Sequence, residues 1–488
     1  MHKALYAAGL QCERRLWQLR HAPGRARPPE AGELERRAEG REIGRGAQRC
    51  YPGGVEVEER DFGAAHARTR VLLEDPNVPA IFEAAFEHGG VRVRADLLER
   101  LPDGRFGLRE VKSAGALRPE HLDDLALQLW VLRGAGLALA SAELWLVDAT
   151  RPAEPGGIDW SQYFVRRDVL EEATFLAEDV AEQLDQQRAW LAGGEPERAP
   201  SPHCRAPRPC EFLEHCTAGL PEDWIGRLPG LRSAEYEALR ERGVLTIAAI
   251  PDSFPLKPRQ ARARQAQRGD GLVVAPGLAE ALAGSGPPAA YLDFEATSAA
   301  RPIFPGTTPF QQVPFQWSLH RVDASGALAH AEFLAPAAGD PRRPFAESLL
   351  AELARDDSPI HVYSGYEARV LDSVAAAYPD LAAGLAALVA RLVDLLEVVR
   401  DHVYASRFAG SFSIKRVAPA LVPGFGYDDL DGIADGGRAA LAIGALLRGT
   451  LDAQAEARVR AELRAYCARD TLALVELHRA LRVLAERG

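Results

Sequence analysis

Residues 91–115, VRVRADLLERLPDGRFGLREVKSAG, hold two alternating apolar runs on either side of the turn-forming LPDG. The alternation predicts a β-hairpin. Side chains alternate faces along a strand, so Glu110 and Lys112, two apart in the second run, point the same way, and the hairpin lays them beside Asp96 of the first. Two carboxylates and a lysine in this arrangement suit phosphodiester chemistry. The carboxylates hold Mg²⁺, which polarises a phosphate and lowers the pKa of a bound water, and the lysine orients that water and steadies developing charge. The helical run LDDLALQLWVLRGAG that follows carries Gln128 as a further candidate.

Upstream, residues 1–21 (MHKALYAAGLQCERRLWQLRH) have too short an apolar stretch and too many early charges for a secretory leader. No run of about 18 uncharged apolar residues occurs elsewhere; the nearest, LAAGLAALVARLVDLL, is interrupted by Arg391 and closed by Asp394. A chain of 488 residues with ordinary apolar and charged content builds several globular domains. The expectation is a cytoplasmic protein with no membrane partner, in which six cysteines are free thiols or metal ligands and not disulfides.

Downstream, residues 203–216 (HCRAPRPCEFLEHC) place Cys204, Cys210 and Cys216 at equal intervals. Three thiolates are one short of the four that a structural zinc or an iron–sulfur cluster takes. His203 and His215 flank the run and with it make a possible zinc set. The wide, even spacing is unlike the tight pairs of zinc knuckles and favours iron–sulfur. Cys50 lies inside the N-terminal block and Cys467 near the far end of the chain.

Composition shifts again at the Gly/Pro linker AGSGPPAAY, dividing the chain into residues 1–216, 217–285 and 286–488. The last block alternates apolar strands with Ala/Leu-rich helices, the pattern of an α/β domain. It opens with YLDFEAT, in which Asp293 and Glu295 share a strand face, and near its end LRAYCARDTLALVELHRAL puts Tyr466 and Asp470 on one helix face. Glu367 follows an apolar strand between them, and Lys415 lies in GSFSIKRVAPAL. Four carboxylates at these sequence distances, Asp293, Glu295, Glu367 and Asp470, suit a cage for two Mg²⁺ or Mn²⁺ ions, and a resemblance to DnaQ-like exonucleases implies that Tyr466 positions water and Lys415 touches a phosphate.

The formal charge of −11 argues against a general polyanion binder, but LKPRQARARQAQR concentrates Lys257, Arg259, Arg262, Arg264 and Arg268 without an acid. This reads either as a phosphate-contacting stripe or as a solvated helix face. Residues 228–250 (LPGLRSAEYEALRERGVLTIAAI) read either as a helix-hairpin-helix module or as a structural connector.

Two family resemblances rest on these motifs. AGLQCERRLW, the D…ExK hairpin, the Gln-bearing helix and the distal cysteines resemble the iron–sulfur RecB-like nucleases of the PD-(D/E)xK superfamily, among them the CRISPR-associated adaptation nucleases and AddB. That likeness implies a 4Fe–4S cluster on Cys12, Cys204, Cys210 and Cys216, and a nuclease centre of Asp96, Glu110, Lys112 and Gln128. The order D-x-E, then Glu367, then Y-x3-D resembles the DnaQ-like DEDD 3′–5′ exonucleases of the ribonuclease-H-like fold. The whole chain is similar to a bacterial family joining the two. This implies an α/β multidomain protein with an N-terminal Fe–S nuclease domain, a helical connector and a C-terminal exonuclease domain.

The implied partner is nucleic acid, DNA in preference to RNA, in repair, recombination or phage defence. The alternatives are a nucleic-acid-binding protein with one or both centres inert, an exoribonuclease, and a zinc-dependent regulator. Two positions depart from the family patterns. Gly44 stands where RecB-like nucleases carry a metal-binding His, leaving Glu42 or Glu83 as substitutes, and Glu367 stands where DEDD enzymes carry Asp.

Overall fold

In the computed structural model, which describes residues 1–336, 339–430, 432–433, 435–447 and 449–487, the chain is an α/β protein of two compact units. One comprises Met1–Ala218 with Ser298–Gln311, the other Gly219–Thr297 with Gln312–Gly488.

The N-terminal unit is built on a mixed sheet of β1 (Val55–Glu56), β2 (Ala80–His88), β3 (Val91–Arg100), β4 (Phe106–Lys112), β5 (Leu139–Val147) and β6 (Phe164–Asp168), in that order. β3 and β4 pair antiparallel, from Leu97 opposite Arg109 to Arg100 opposite Phe106. The helix Pro119–Gly134 carries the chain from β4 to β5, which pairs parallel with it. Parallel neighbours need such a crossover, and its Leu125, Leu129 and Leu132 are buried in the unit's main core. A second core holds Ile43 and Ala47 of the helix Ala31–Gln48, Trp145, Phe164 and Ala300. Residues 298–311 therefore belong to this unit although the strand before them belongs to the other.

The C-terminal unit pairs β7 (Leu272–Val274) with β13 (Val403–Ala405) and builds a five-stranded sheet from β8 (Ala289–Thr297), β9 (Val313–Val322), β10 (Leu328–Leu334), β11 (Ile360–Val362) and β12 (Leu392–Asp394). Its order is β10-β9-β8-β11-β12, with the first three antiparallel and the last two parallel to β8. The long helix Ala453–Ala485 contributes Leu474, Leu477 and Leu481 to a core that also takes in Tyr291 and Val399.

Of residues 217–285, read from sequence as a separate connector, 219–285 are part of this unit. Trp224, Ile225, Tyr236, Leu239, Ile247 and Ala263 are buried in the same core as Tyr291 and Leu474, so the segment has no apolar centre of its own. Its helices Ser233–Glu241 and Pro258–Arg268 are joined by a long irregular stretch and not by a tight hairpin. Among the described residues, no helix is long and apolar enough to cross a membrane.

Candidate active centres

The first centre lies on the β3–β4 pair. Beyond the last paired residues the Asp96 carboxylate accepts a 2.9 Å bond from the Val111 N–H, completing the ladder with a side chain. Glu110, 1% exposed, accepts from Lys112 at 2.7 Å on Oε1 and from the Gln128 amide at 2.8 Å on Oε2. The hairpin and the crossover helix thus bring together Asp96, Glu110, Lys112 and Gln128.

Two further residues join them. Lys3, at the start of the helix Lys3–Gln11, places its ammonium 2.7 Å from the same Glu110 oxygen and 3.1 Å from Asp124. Asp124 also accepts from Lys112. Burial alone would raise the Glu110 carboxyl, but the ammonium groups of Lys112 and Lys3 overcome it and hold the group below its ordinary value. Asp96, buried and facing Glu110, is pushed up to about 7.

Of the two substitutes for the missing histidine, Glu42 pairs with Arg301 and is half exposed. Glu83 instead stands on β2 between the pairs Phe82–Leu97 and Ala84–Ala95, opposite Asp96. Its φ of 54° is one that a residue with a side chain rarely adopts, and burial with Glu110 nearby raises its carboxyl. A Cβ on Gly44 would meet nothing within 4 Å, so that position is open.

The four predicted cluster ligands line one cavity. Cys12, Cys204, Cys210 and Cys216 surround it together with His203, Arg14, Arg15, Gln18 and Arg198. Cys12 is the single extended residue between the helices Lys3–Gln11 and Glu13–His21, so its thiol leaves the helical path at the bend. Burial pushes the thiols of Cys12 and Cys216 up and that of Cys210 to about 11. His215 is exposed, Cys50 bonds the Trp160 carbonyl, and Cys467 lies in the other unit.

The second centre gathers on β8 and the long helix. Asp293, Glu295 and Asp470 each present a carboxylate oxygen, all within 4.8 Å of one another. The register of β8 on β9 shifts between Glu295 and Ala296, a bulge next to the acids. Burial, then repulsion from Asp470, drives Glu295 up to about 8, and the same causes raise Asp293 far above the carboxylate range. Glu367 lies outside the tight trio but in the first turn of the helix Tyr366–Ala377, 3% exposed. Its charge bears on both Asp293 and Glu295, and its Oε2 is buried with no partner among the described residues.

Lys415 donates a 2.8 Å bond to the Tyr466 hydroxyl and pulls Glu295 and Asp470 downward, so it belongs to the centre itself. Tyr427, which no motif signalled, faces Asp470 alongside Tyr466.

The arginines of the basic stretch make contacts within their own unit. Arg262 bonds the Arg400 carbonyl, Arg264 the Pro251 carbonyl at 2.7 Å, and Arg268 the Ala248 carbonyl at 2.8 Å. These guanidinium groups fasten loops of their own unit. Arg259 pairs with Asp401 at 3.7 Å, lies over the Phe412 ring and lines a groove with Arg400, Tyr363 and Ile414. Lys257 is exposed.

Residues 290–413 match a family described as a domain of unknown function, DUF2779. The matched segment contains Asp293, Glu295 and Glu367 and stops before Lys415, Tyr466 and Asp470. No curated protein and no solved structure matches the chain.

Proposed function

We propose that the C-terminal unit is a metal-dependent 3′–5′ exonuclease of the DnaQ-like, ribonuclease-H-like type, acting on single-stranded or end-opened DNA. One observation carries the reading: three carboxylates whose oxygens converge within 4.8 Å, in a site where burial and mutual repulsion make the negative charges costly. Such a trio is stable as carboxylates only around cations. The unpartnered buried oxygen of Glu367 fits the same demand. The sheet order β10-β9-β8-β11-β12 supports the fold assignment.

Two Mg²⁺ or Mn²⁺ ions, when bound, activate the attacking water and stabilise the departing 3′ oxygen. Asp293, Glu295 and Asp470 hold them, with Glu367 reaching in from the neighbouring helix. Tyr466 orients the water through its hydroxyl. It is no base, because burial and then the neighbouring acids push its phenol far above neutral pH. The Arg259–Arg400 groove, with its aromatic ring, takes the strand by phosphate contact and stacking.

For the N-terminal unit we read a PD-(D/E)xK-type fold that engages the same nucleic acid, with a 4Fe–4S cluster on Cys12, Cys204, Cys210 and Cys216. Four thiols around one cavity, the number such a cluster takes, support this reading. The test of the exonuclease is incubation with 5′-labelled DNA and RNA oligonucleotides, with Mg²⁺ or Mn²⁺ and with EDTA. A metal-dependent ladder of shortened DNA products is the expected result.

A further inference from the structure

We infer that Lys3 is the built-in cation of the first acid centre and keeps a divalent ion away from Glu110. The inference concerns the N-terminal unit and goes beyond the reading of the Asp293 centre.

The Glu110 carboxylate already accepts three N–H bonds: Lys3 and Lys112 share Oε1, each at 2.7 Å, and Gln128 donates to Oε2 at 2.8 Å. A divalent ion sits at roughly 2.0–2.6 Å from its oxygen ligands. It cannot take Oε1 while two ammonium groups stand there. Lys3 also reaches Asp124 at 3.1 Å, so the two ammonium groups pair directly with the two carboxylates Glu110 and Asp124, and Asp96 is bonded by the Val111 N–H.

Lys3 is delivered by backbone geometry and not by a loose tail. The Arg92 N–H donates to the Met1 carbonyl at 3.0 Å, and His2 bridges Arg92 in parallel, so the strand that carries Asp96 also fixes the segment that carries Lys3. Tyr6, on the same helix, is 2% exposed and bonds Gln183, which holds the helix against the unit. Gly44 offers no competing ligand from the helix Ala31–Gln48. Two buried oxygens, Asp124 Oδ1 and Gln128 Oε1, have no partner among the described residues.

Manganese binding, counted by EPR on the purified full-length protein, tests this. Glu110→Gln should leave the wild-type count unchanged. Lys3→Met should gain one equivalent, the double variant Lys3→Met/Glu110→Gln should lose it again, and Lys3→Arg, which keeps the charge, should match wild type. If Lys3→Met does not fold, Lys3→Gln is read in its place. Loss of one equivalent from wild type on Glu110→Gln, or no gain in a folded Lys3 variant, would overturn the proposal. The Asp293 reading fails by a different arm: an unchanged wild-type count in Asp293→Asn/Asp470→Asn.

Discussion

The Lys415 ammonium stands 4.4 Å over the Tyr466 ring and donates a 2.8 Å bond to its hydroxyl. The two residues come from different helices, Ile414–Leu421 and Ala453–Ala485, and each fixes the other beside the acids. Lys415 thereby points the phenolic proton away from itself, towards Asp470. Tyr466→Phe should lower the trimming rate by about two decades, the cost of a misplaced reactant. No alkaline limb should vanish from the pH profile, because the phenol does not titrate in the working range. Single-turnover kinetics across pH checks this.

The acid trio makes the metal-free C-terminal unit sensitive to pH. Glu295 titrates near 8 in the fold against 4.5 in the unfolded chain, so over that window the folded state binds more protons than the unfolded one. Stability then falls as pH rises through the window and is fully present only below it. Melting temperature in EDTA should drop between about pH 5 and pH 8, Mg²⁺ should restore it, and Glu295→Gln should flatten the curve. A metal-free melting temperature that rises with pH in the same interval, and does so through Glu295, would contradict the charge crowding.

The cysteine cavity gives a colour test. Cys12→Ala should remove iron and the broad visible absorbance near about 400 nm that thiolate-to-iron charge transfer produces, and Cys50→Ala should retain both. Cys12 and the distal cysteines are separated by nearly the whole N-terminal unit, so joining them offsets a large loop-closure entropy. Cys12→Ala should therefore also lower the melting temperature of that unit. Full iron content in Cys12→Ala would remove it from the ligand set.

The groove gives a salt test. Arg259 and Arg400 line it together, and each lost phosphate contact reduces the slope of log affinity against log salt by about 0.7 on single strands. Arg259→Ala/Arg400→Ala should weaken single-stranded DNA binding in low salt and flatten that slope. Arg264→Ala, whose guanidinium is tied to Pro251, should leave the slope unchanged and lower stability instead.

Much of both centres was legible because strand periodicity is local. Glu110 and Lys112 two apart, or Asp293 and Glu295 two apart, declare a shared face without knowledge of the rest of the chain. Lys3 was not legible: it meets Glu110 across 107 residues, and nothing in MHKALY carries that register. Asp124 sits in a helix whose apolar pattern marks Leu125 and Leu129, leaving the acid looking like an ordinary polar-face residue. The stretch at 256–268 could be read two ways for a related reason, since charge counts show how many donors exist but not which carbonyls of the same unit they bond. Residues 298–311 look like a plain loop between two strands, and their place in the N-terminal unit depends on Ala300 being buried with Ile43 and Phe164.

The most direct measurement is the product ladder from a 5′-labelled single-stranded DNA with Mg²⁺, compared between wild type, Asp470→Asn and Lys112→Ala. Asp470→Asn removes one charge from the trio with almost no change of shape, and should cost on the order of several decades in trimming rate while the fold survives. Lys112→Ala lies in the other unit and should leave the ladder in place. Wild-type trimming by Asp470→Asn together with its loss in Lys112→Ala would contradict the account, because the exonuclease would then lie in the N-terminal unit.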